Sequence, residues 1–452
     1  MGMKVSPKTL SGFMELPPQE QMLFEQIRRR LEEAYASFGF FALDTPVLEA
    51  SEVLLAKAGG ETEKQVYRFE KGDTDMTMRF DLTVPLAKYV AKNYGNLTFP
   101  FKRYAIGKVY RGERAQRGRF REFYQADIDI IGDGSLSIVN DAEIPAVICA
   151  ALQGLGLSDF TIRINNRKVL GGLFRSLGLG AELSAALVIV DKLEKIGRGA
   201  VCEELQKLGL PQAGVDSLLD LLGAQGENEE ILARLGEMAA GDEAFLQGVQ
   251  ELSDVLSYAA AFGVPKETLR IDLTIARGLD YYTGTVYETT FNPHPEIGSI
   301  CSGGRYDNLA EFYTDKKLPG VGMSIGLTRL FYILNERGYL SGDFSAPADA
   351  LVIPMSADLE PAVAVSARLR EAGIRTQIYL EARKFKHKIG YADKLAIPYA
   401  IFLGEDEIAS GKLAVKDMRS GEQQTLSPEE AIRLILSDVE RRRGERVIRL
   451  DK

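Results

Sequence analysis

Between Lys102 and Arg121 the chain reads KRYAIGKVYRGERAQRGRFR, eight basic residues around a single acid, Glu113, in a protein whose formal net charge is −9. A local excess of cations that runs against the global balance marks a site for a polyanion. Apolar and polar side chains alternate from Phe101 to Arg111 and again from Arg119 to Ile131, with a polar tip from Arg114 to Gly118 between them, so the stretch predicts a hairpin. Residues two apart in a strand share a face. Arg111 therefore points with Glu113, and on the returning strand Arg121, Gln125 and Asp129 point together. Cations are expected near the turn and hydrogen-bonding acids deeper in. A solvated basic surface hairpin has the same local pattern.

Three more segments offer groups for the same chemistry. GVGMSIGLTR, from Gly320 to Arg329, spaces its glycines as GxGxxxG, which fits neither a dinucleotide fingerprint nor a P-loop. Its small residues let a strand and a helix pack closely, and Arg329, one turn into that helix, would bring another cation. In IARGLDYYTGTVYETTF, Ile275 to Phe291, Arg277 precedes a turn-like glycine and the pair Tyr281 and Tyr282, and a cation beside paired aromatics suits a flat polar ring next to a phosphate. CSGGRYD, Cys301 to Asp307, reads in isolation as a turn, since tandem glycines free the backbone; close approach of that backbone to a ligand is the other reading. Only two histidines occur, His294 and His387, which argues against histidine-based metal sites and a Ser-His-Asp arrangement. His294, in NPHPE, reads as a loop residue. Cys149, Cys202 and Cys301 lie far apart with no CxxC pair, so neither a disulfide framework nor a zinc cage is expected.

A chain of 452 residues is too long for one ordinary core and suggests roughly three domains. Hydrophobic residues at 45% and charged residues at 26% match a soluble globular protein. No apolar run approaches the roughly 18 to 20 residues of a bilayer span, and the start, MGMKVSPKTLSGFMELPPQEQ, has no apolar signal core, so a cytoplasmic protein is expected.

Helical spacing from Pro17 to Phe38 leads into an extended Phe40 to Leu48. Tyr67 to Asn93 gives a short strand and then a helix that Asp81 or Thr83 can cap. The hairpin follows, then a helix from Asp141 to Leu155. Up to about Asn166 the pattern is α+β. From Leu170 to Gly263 amphipathic stretches such as Ala181 to Lys195 and Ala244 to Phe262 predict a helical insertion. Strands return at Leu269 to Asp272, Thr285 to Phe291 and Ser299 to Ser302, with a helix from Gly326 to Glu336. After a linker at Gly342 to Asp349, strands at Ala350 to Pro354, Thr376 to Leu380 and Tyr399 to Leu403 alternate with helices at Leu359 to Ala372 and Ala382 to Leu395, which implies a parallel sheet. From residue 345 onward there are 18 basic and 17 acidic residues, against 37 and 47 in the rest. The tail module is relatively basic, most densely around Arg383, Lys384 and Lys388.

With these segments in order, the sequence resembles the histidyl-tRNA synthetases, class II aminoacyl-tRNA synthetases, nearly end to end. The helix and strand with Pro46 match motif 1, YRGERAQRGRFREF motif 2 and GVGMSIGLTRL motif 3; RGLDYYTGTVYE and CSGGRYD resemble the two histidine-specific segments. The resemblance implies an α+β fold in which a class II antiparallel-sheet catalytic core (1–169 and 264–341) is interrupted by a helical insertion domain (170–263). A C-terminal α/β anticodon-binding domain (348–452) follows.

It also implies a reaction. Histidine attacks the α-phosphorus of ATP to give histidyl-adenylate, and the terminal ribose of the tRNA then takes the acyl group. Arg111 and Arg277 would be catalytic at the α-phosphorus and Arg329 would hold the terminal phosphates, with Glu113 on the adenine side, Phe120 stacking on the base and Arg119 near the phosphates. Magnesium would bridge phosphate oxygens. Asp81, Thr83 and Gln125 would receive the ammonium group, Asp129 and Tyr282 the imidazole nitrogens, with Arg277 and Tyr281 in the same pocket. RFDLT stands where many bacterial members carry a Glu, and Asp129 replaces a Glu found in part of the family, so these shorter acids would reach histidine through water. For tRNA, Arg114, Gln116 and Arg117 would face the acceptor end and Arg383, Lys384 and Lys388 the anticodon stem. Motif 1 implies a homodimer, and no membrane is involved. The rival reading is a histidine-binding regulatory subunit of ATP phosphoribosyltransferase; the presence of Arg111, Glu113, Arg277 and Arg329 speaks against it.

Overall fold

The computed structural model describes residues 5–56, 64–114, 118–178, 182–190, 193–223, 226–275, 281–340, 345–443, 445 and 447–450. Arg277, Gln116, Arg117 and residues 341–344 of the expected linker lie outside them. Two compact units emerge: residues 1–14 with 31–333, and residues 15–30 with 334–452.

Strands of the first unit are β1 (Phe41–Ala42), β2 (Leu48–Ala50), β3 (Arg68–Lys71), β4 (Thr74–Met78), β5 (Phe101–Tyr110), β6 (Glu122–Ile131), β7 (Phe160–Asn166), β8 (Leu269–Ile271), β9 (Thr285–Phe291), β10 (Ser299–Tyr306) and β11 (Gly320–Ile325). Eight form one sheet in the order β1-β5-β6-β11-β10-β9-β7-β8. Its inner pairs are antiparallel, while β1 joins β5 and β8 joins β7 in parallel. The expected hairpin is β5–β6, in a register that sets Gly107 opposite Gln125 and Arg103 opposite Asp129. Alternation read from sequence fixes such a register, because a one-residue slip would turn every apolar side chain out of the core.

The motif CSGGRYD forms no turn: it runs as strand through β10, which corrects the reading made from the segment alone. Its glycines serve close packing. A Cβ on Gly303 would collide with the Gly322 carbonyl of β11, and one on Gly322 with the Asp129 carboxylate and the Ile128 carbonyl of β6. Two more expectations need adjustment. Tyr67 to Met78 holds two strands, β3 and β4, rather than one, and Phe40 to Leu48 is strand only at Phe41–Ala42 and at Leu48, where β2 begins.

The helix Thr83–Asn93 starts where expected, and Asp81, one residue before its N-cap Leu82, braces the first turn: Val84 N–H donates to Asp81 Oδ1 at 3.1 Å. Leu86, Ala87 and Val90 enter a core cluster with Tyr281, Tyr306 and Leu309. Each such apolar burial is worth roughly 1.5 to 3 kcal/mol for a large side chain, so the tyrosines of the expected site are anchored as core residues.

The helical stretch holds Arg167–Ser176, Leu183–Val190, Leu193–Lys207, Gln212–Leu222, Asn228–Met238 and Glu243–Ala261. Leu193–Lys207 breaks at Gly197, where φ is 78°. The first and last of these helices pack so closely that a Cβ on Gly172 would collide with Phe245, and both contact β7.

In the second unit β12 (Ala350–Pro354), β13 (Thr376–Ile378), β14 (Tyr399–Leu403), β15 (Leu413–Asp417) and β16 (Gln423–Leu426) form a sheet in the order β13-β12-β14-β15-β16. The first three are parallel as expected; β15 and β16 add an antiparallel edge, so the sheet is mixed rather than parallel. The helices Glu360–Glu371, Phe385–Lys394 and Pro428–Arg443 accompany it.

Candidate active site

Arg111 leaves the end of β5 with its backbone N–H on the Arg121 carbonyl at 2.9 Å, which keeps the hairpin paired up to its basic tip. Its Nε donates to the Phe80 carbonyl at 3.0 Å, and its guanidinium lies 5.2 Å from the centroid of the Phe123 ring. The side chain is therefore held before any ligand arrives. One cavity opens beside it, lined also by Glu113, Arg119, Phe120 and Arg329. Arg119 pairs with Glu113 at 3.1 Å, and Phe120 meets Tyr332 edge-on at 5.5 Å. Arg329, in the first turn of the helix Leu327–Glu336, donates to the Ile297 carbonyl. Burial, and then the charge of Arg119, hold its guanidinium below the ordinary value. Cations crowded in this way favour an anion between them.

A second cavity, about 490 Å³, adjoins the first and has the opposite character: Asp81, Thr83, Asp127, Asp129, Tyr282 and Tyr306 line it. Burial pushes the carboxyls of Asp81 and Asp129 up to about 6 and that of Asp127 up to about 7, against the opposing pull of Arg103. Asp129 accepts from the Tyr306 hydroxyl at 2.6 Å and pairs with Arg103 at 2.7 Å. Arg103 also donates to the Leu82 carbonyl at 2.8 Å, which ties the Asp81–Thr83 loop to β5 and, through Asp129, to β6. One buried guanidinium faces three buried carboxylates. Asp81 Oδ2, Asp127 Oδ1 and Gln125 Oε1 are buried acceptors without a hydrogen-bond donor among the described residues, and buried acceptors without donors are costly. A ligand carrying a cation and N–H donors would satisfy them.

The loop bearing Tyr281 and Tyr282 is pinned from β10. Thr283 N–H donates to the Arg305 carbonyl at 2.8 Å, and its hydroxyl donates to Asp307 at 2.5 Å. Arg305 reaches Asp141 at 2.6 Å, so the pin is fixed to the helix Val139–Leu155. Arg111, Arg119, Gln125, Glu288, Ser302 and Ser324 line both cavities. The result is one bipolar site with an anion-seeking end and a cation-seeking end.

Every expected site residue of the first unit that is described lies on one of these two cavities, apart from Arg114, which is exposed at the hairpin tip. Arg277 lies outside the described residues, as do Gln116 and Arg117. In the second unit Arg383 and Lys384 are exposed, whereas Lys388 is half-buried and its Nζ donates to the Pro354 carbonyl at 2.7 Å. The sequence reading missed Arg103, Asp127, Tyr306, Glu288 and Ser324. A signal existed for Asp127: in QADIDII two acids alternate through an apolar strand, and both face inward.

Asp127 gives a stability prediction. Its folded-state value lies above the ordinary 3.8, so the stability linked to its proton is complete below about pH 4 and is lost as pH rises towards 7. Asp127→Asn removes that loss. Urea unfolding of the ligand-free chain should find the variant more stable than its parent, by about 2 to 3 kcal/mol more at pH 8 than at pH 5. An advantage that does not change with pH would mean that the carboxylate ionises there without penalty.

Residues 12–330 match the family model for histidyl-tRNA synthetase, and residues 349–438 match that for an anticodon-binding domain. A histidine–tRNA ligase of Clostridium tetani is 54% identical over 95% of this chain and 98% of its own length; one of Finegoldia magna is 47% identical over 95% and 99%. The crystal structure of a histidyl-tRNA synthetase from Nostoc sp. PCC 7120 superposes with a TM-score of 0.89 at 39% identity, covering 96% of this chain and all of that one. A Bacillus halodurans structure titled an ATP phosphoribosyltransferase regulatory subunit/histidyl-tRNA synthetase shares the fold, with a TM-score of 0.72 at 21% identity over 89% of this chain and 99% of that one.

Proposed function

We propose a division of labour within the site from one premise: the chain belongs to the histidyl-tRNA synthetase family, and it ligates histidine to its tRNA with ATP as co-substrate. The observation that carries the proposal is the bipolar cavity. ATP lies at the cationic end, its phosphates among Arg111, Arg119 and Arg329 and its base near Glu113 and Phe120. Histidine lies at the acidic end, its ammonium group towards Asp81, Thr83 and Gln125 and its ring between Asp129 and Tyr282, beside Tyr281. Its carboxylate then meets the α-phosphorus at the shared wall, where Arg111 stands.

A carboxylate oxygen bonds to the α-phosphorus as the bond to the departing pyrophosphate breaks. No proton moves in that step, so catalysis is positioning and charge stabilisation. Arg111 is fixed by Phe80 and Phe123 in advance and need not reorganise as negative charge grows. Arg277 is the second guanidinium assigned to the α-phosphorus, on the sequence match alone. In the second step a ribose hydroxyl of the tRNA attacks the acyl carbon and AMP leaves. Selection for histidine follows from buried polar groups that a side chain lacking ring nitrogens would leave unpaired.

Magnesium fits as a companion of the nucleotide. Among the described residues no cluster of three His, Cys, Asp or Glu side chains forms a metal cage, but magnesium needs only one or two carboxylates beside phosphate oxygens. Glu113 and Glu288 line the first cavity and would hold it. When bound, the ion would neutralise charge on the leaving pyrophosphate.

Arg114, Gln116 and Arg117 would meet the acceptor end of the tRNA, and the exposed Arg383 and Lys384, with Lys388, the anticodon stem. The core (1–169 and 264–341), the insertion (170–263) and the anticodon-binding domain (348–452) would act as separate modules. A homodimer would cover β1, an edge strand on which Phe41 is 69% exposed. The site of action is the cytoplasm, and no described helix is long and apolar enough to cross a membrane.

The test is histidine-dependent exchange of labelled pyrophosphate into ATP, followed by transfer of histidine to tRNA. Both are expected. Tight histidine binding with neither exchange nor transfer would favour a regulatory subunit instead.

A further inference from the structure

Gln125 is the one neutral group among the residues assigned to the ammonium end that has two distinct faces. Its side-chain amide has nearly the same shape whichever way it is turned, so only its hydrogen-bond partners decide which atom meets the ligand. Turned one way it offers an ammonium group an oxygen; turned the other way it offers two N–H donors and repels it.

Its partners form a chain. Gln125 Nε2 donates to Ser324 Oγ at 2.7 Å, and Ser324 stands beside the Asp127 carboxylate across the β6–β11 pair, where its hydroxyl favours the ionised acid. Strand pairing makes this possible. Ser324 of β11 lies opposite Asp127 of β6, and Gln125 precedes Asp127 by two residues, on the same face. An ionised carboxylate can only accept, so the serine proton points at Asp127; the serine oxygen is left to accept, so Gln125 must present its nitrogen there. The amide oxygen, buried and without a donor among the described residues, is thereby turned towards the cavity.

We propose that Asp127 and Ser324 are positioning residues that lock the Gln125 amide with its oxygen towards the amino group of the bound amino acid. The proposal rests on the reading of this cavity as the histidine site. It gives a role to a carboxylate that neither the reaction steps nor the sequence motifs use. The same carboxylate is one whose removal should stabilise the ligand-free fold, the usual trade between stability and function.

Calorimetric binding to the full-length chain tests it with two ligands that differ only at the amino group: histidine, and 3-(imidazol-4-yl)propionate, which lacks it. Ser324→Ala should weaken histidine about tenfold, the scale of a hydrogen bond to a charged group, and leave the deaminated analogue unchanged. Ser324→Thr, which keeps the hydroxyl, should restore histidine binding. In the exchange assay the alanine variant should show a raised KM for histidine with kcat little altered. Equal weakening of both ligands, no weakening of either, or failure of threonine to rescue would overturn the proposal. A parent chain that bound the two ligands equally well would instead overturn the assignment of the acidic end to the ammonium group, and the proposal with it.

Discussion

Arg111→Ala is expected to slow histidine-dependent pyrophosphate exchange about a thousandfold, in the upper range for removing one preorganised donor from a developing charge. Arg111 is shared by the two cavities and is immobilised by a carbonyl on one side and an aromatic face on the other. Its contribution should therefore appear where charge develops, in kcat, more than in the KM for ATP. Arg111→Lys keeps the charge but loses the forked geometry and the Nε bond to Phe80, so it should recover only part of the rate, remaining about a hundredfold slow. Steady-state exchange kinetics on both variants decide the matter. A rise in the KM for ATP with kcat intact would reduce Arg111 to a ground-state contact.

The largest effect on stability is expected from Arg103→Met. Arg103 is 1% exposed and is the guanidinium that pairs with Asp129 beneath three buried carboxylates. Removing one partner of a buried pair costs about 3 to 5 kcal/mol, because the remaining charge is left uncompensated. Without Arg103 the folded-state values of Asp81, Asp127 and Asp129, already raised to about 6, 7 and 6, rise further. The folded variant then holds protons that its unfolded chain has lost, and its deficit grows as pH increases. Unfolding at pH 5 and pH 8 should show a modest loss at the lower value and the full loss at the higher. A deficit equal at both would mean that Arg103 supplies packing and no charge compensation.

What was legible in the sequence divides along physical lines. The β5–β6 hairpin and the faces of its strands could be read because a period of two puts the apolar residues on one side. The gradient along it, cations at the tip and acids inside, followed from the same alternation. CSGGRYD could not be read alone. Gly303 is required by the carbonyl of Gly322, which comes from a different part of the chain, and no local rule distinguishes that need from a turn. Arg103 belongs by composition to the basic stretch, yet it points into the core beside Asp129, a fate that only tertiary packing sets. Asp127 carried a signal in its spacing that went unused. In the second unit the sequence reading stopped at Leu403, so β15 and β16, with the antiparallel edge they add, lay beyond it.

The place of β11 in the sheet, between β6 and β10, governs when this protein becomes competent during its synthesis. Ser324 reaches Gln125 across 199 positions of chain, and Tyr306 reaches Asp129 across 177. Until the segment from Gly320 has emerged from the ribosome, one edge of β6 has no partner strand and the acidic half-pocket lacks that wall. Pairings of such long sequence separation are slow to form and leave sticky edges exposed meanwhile.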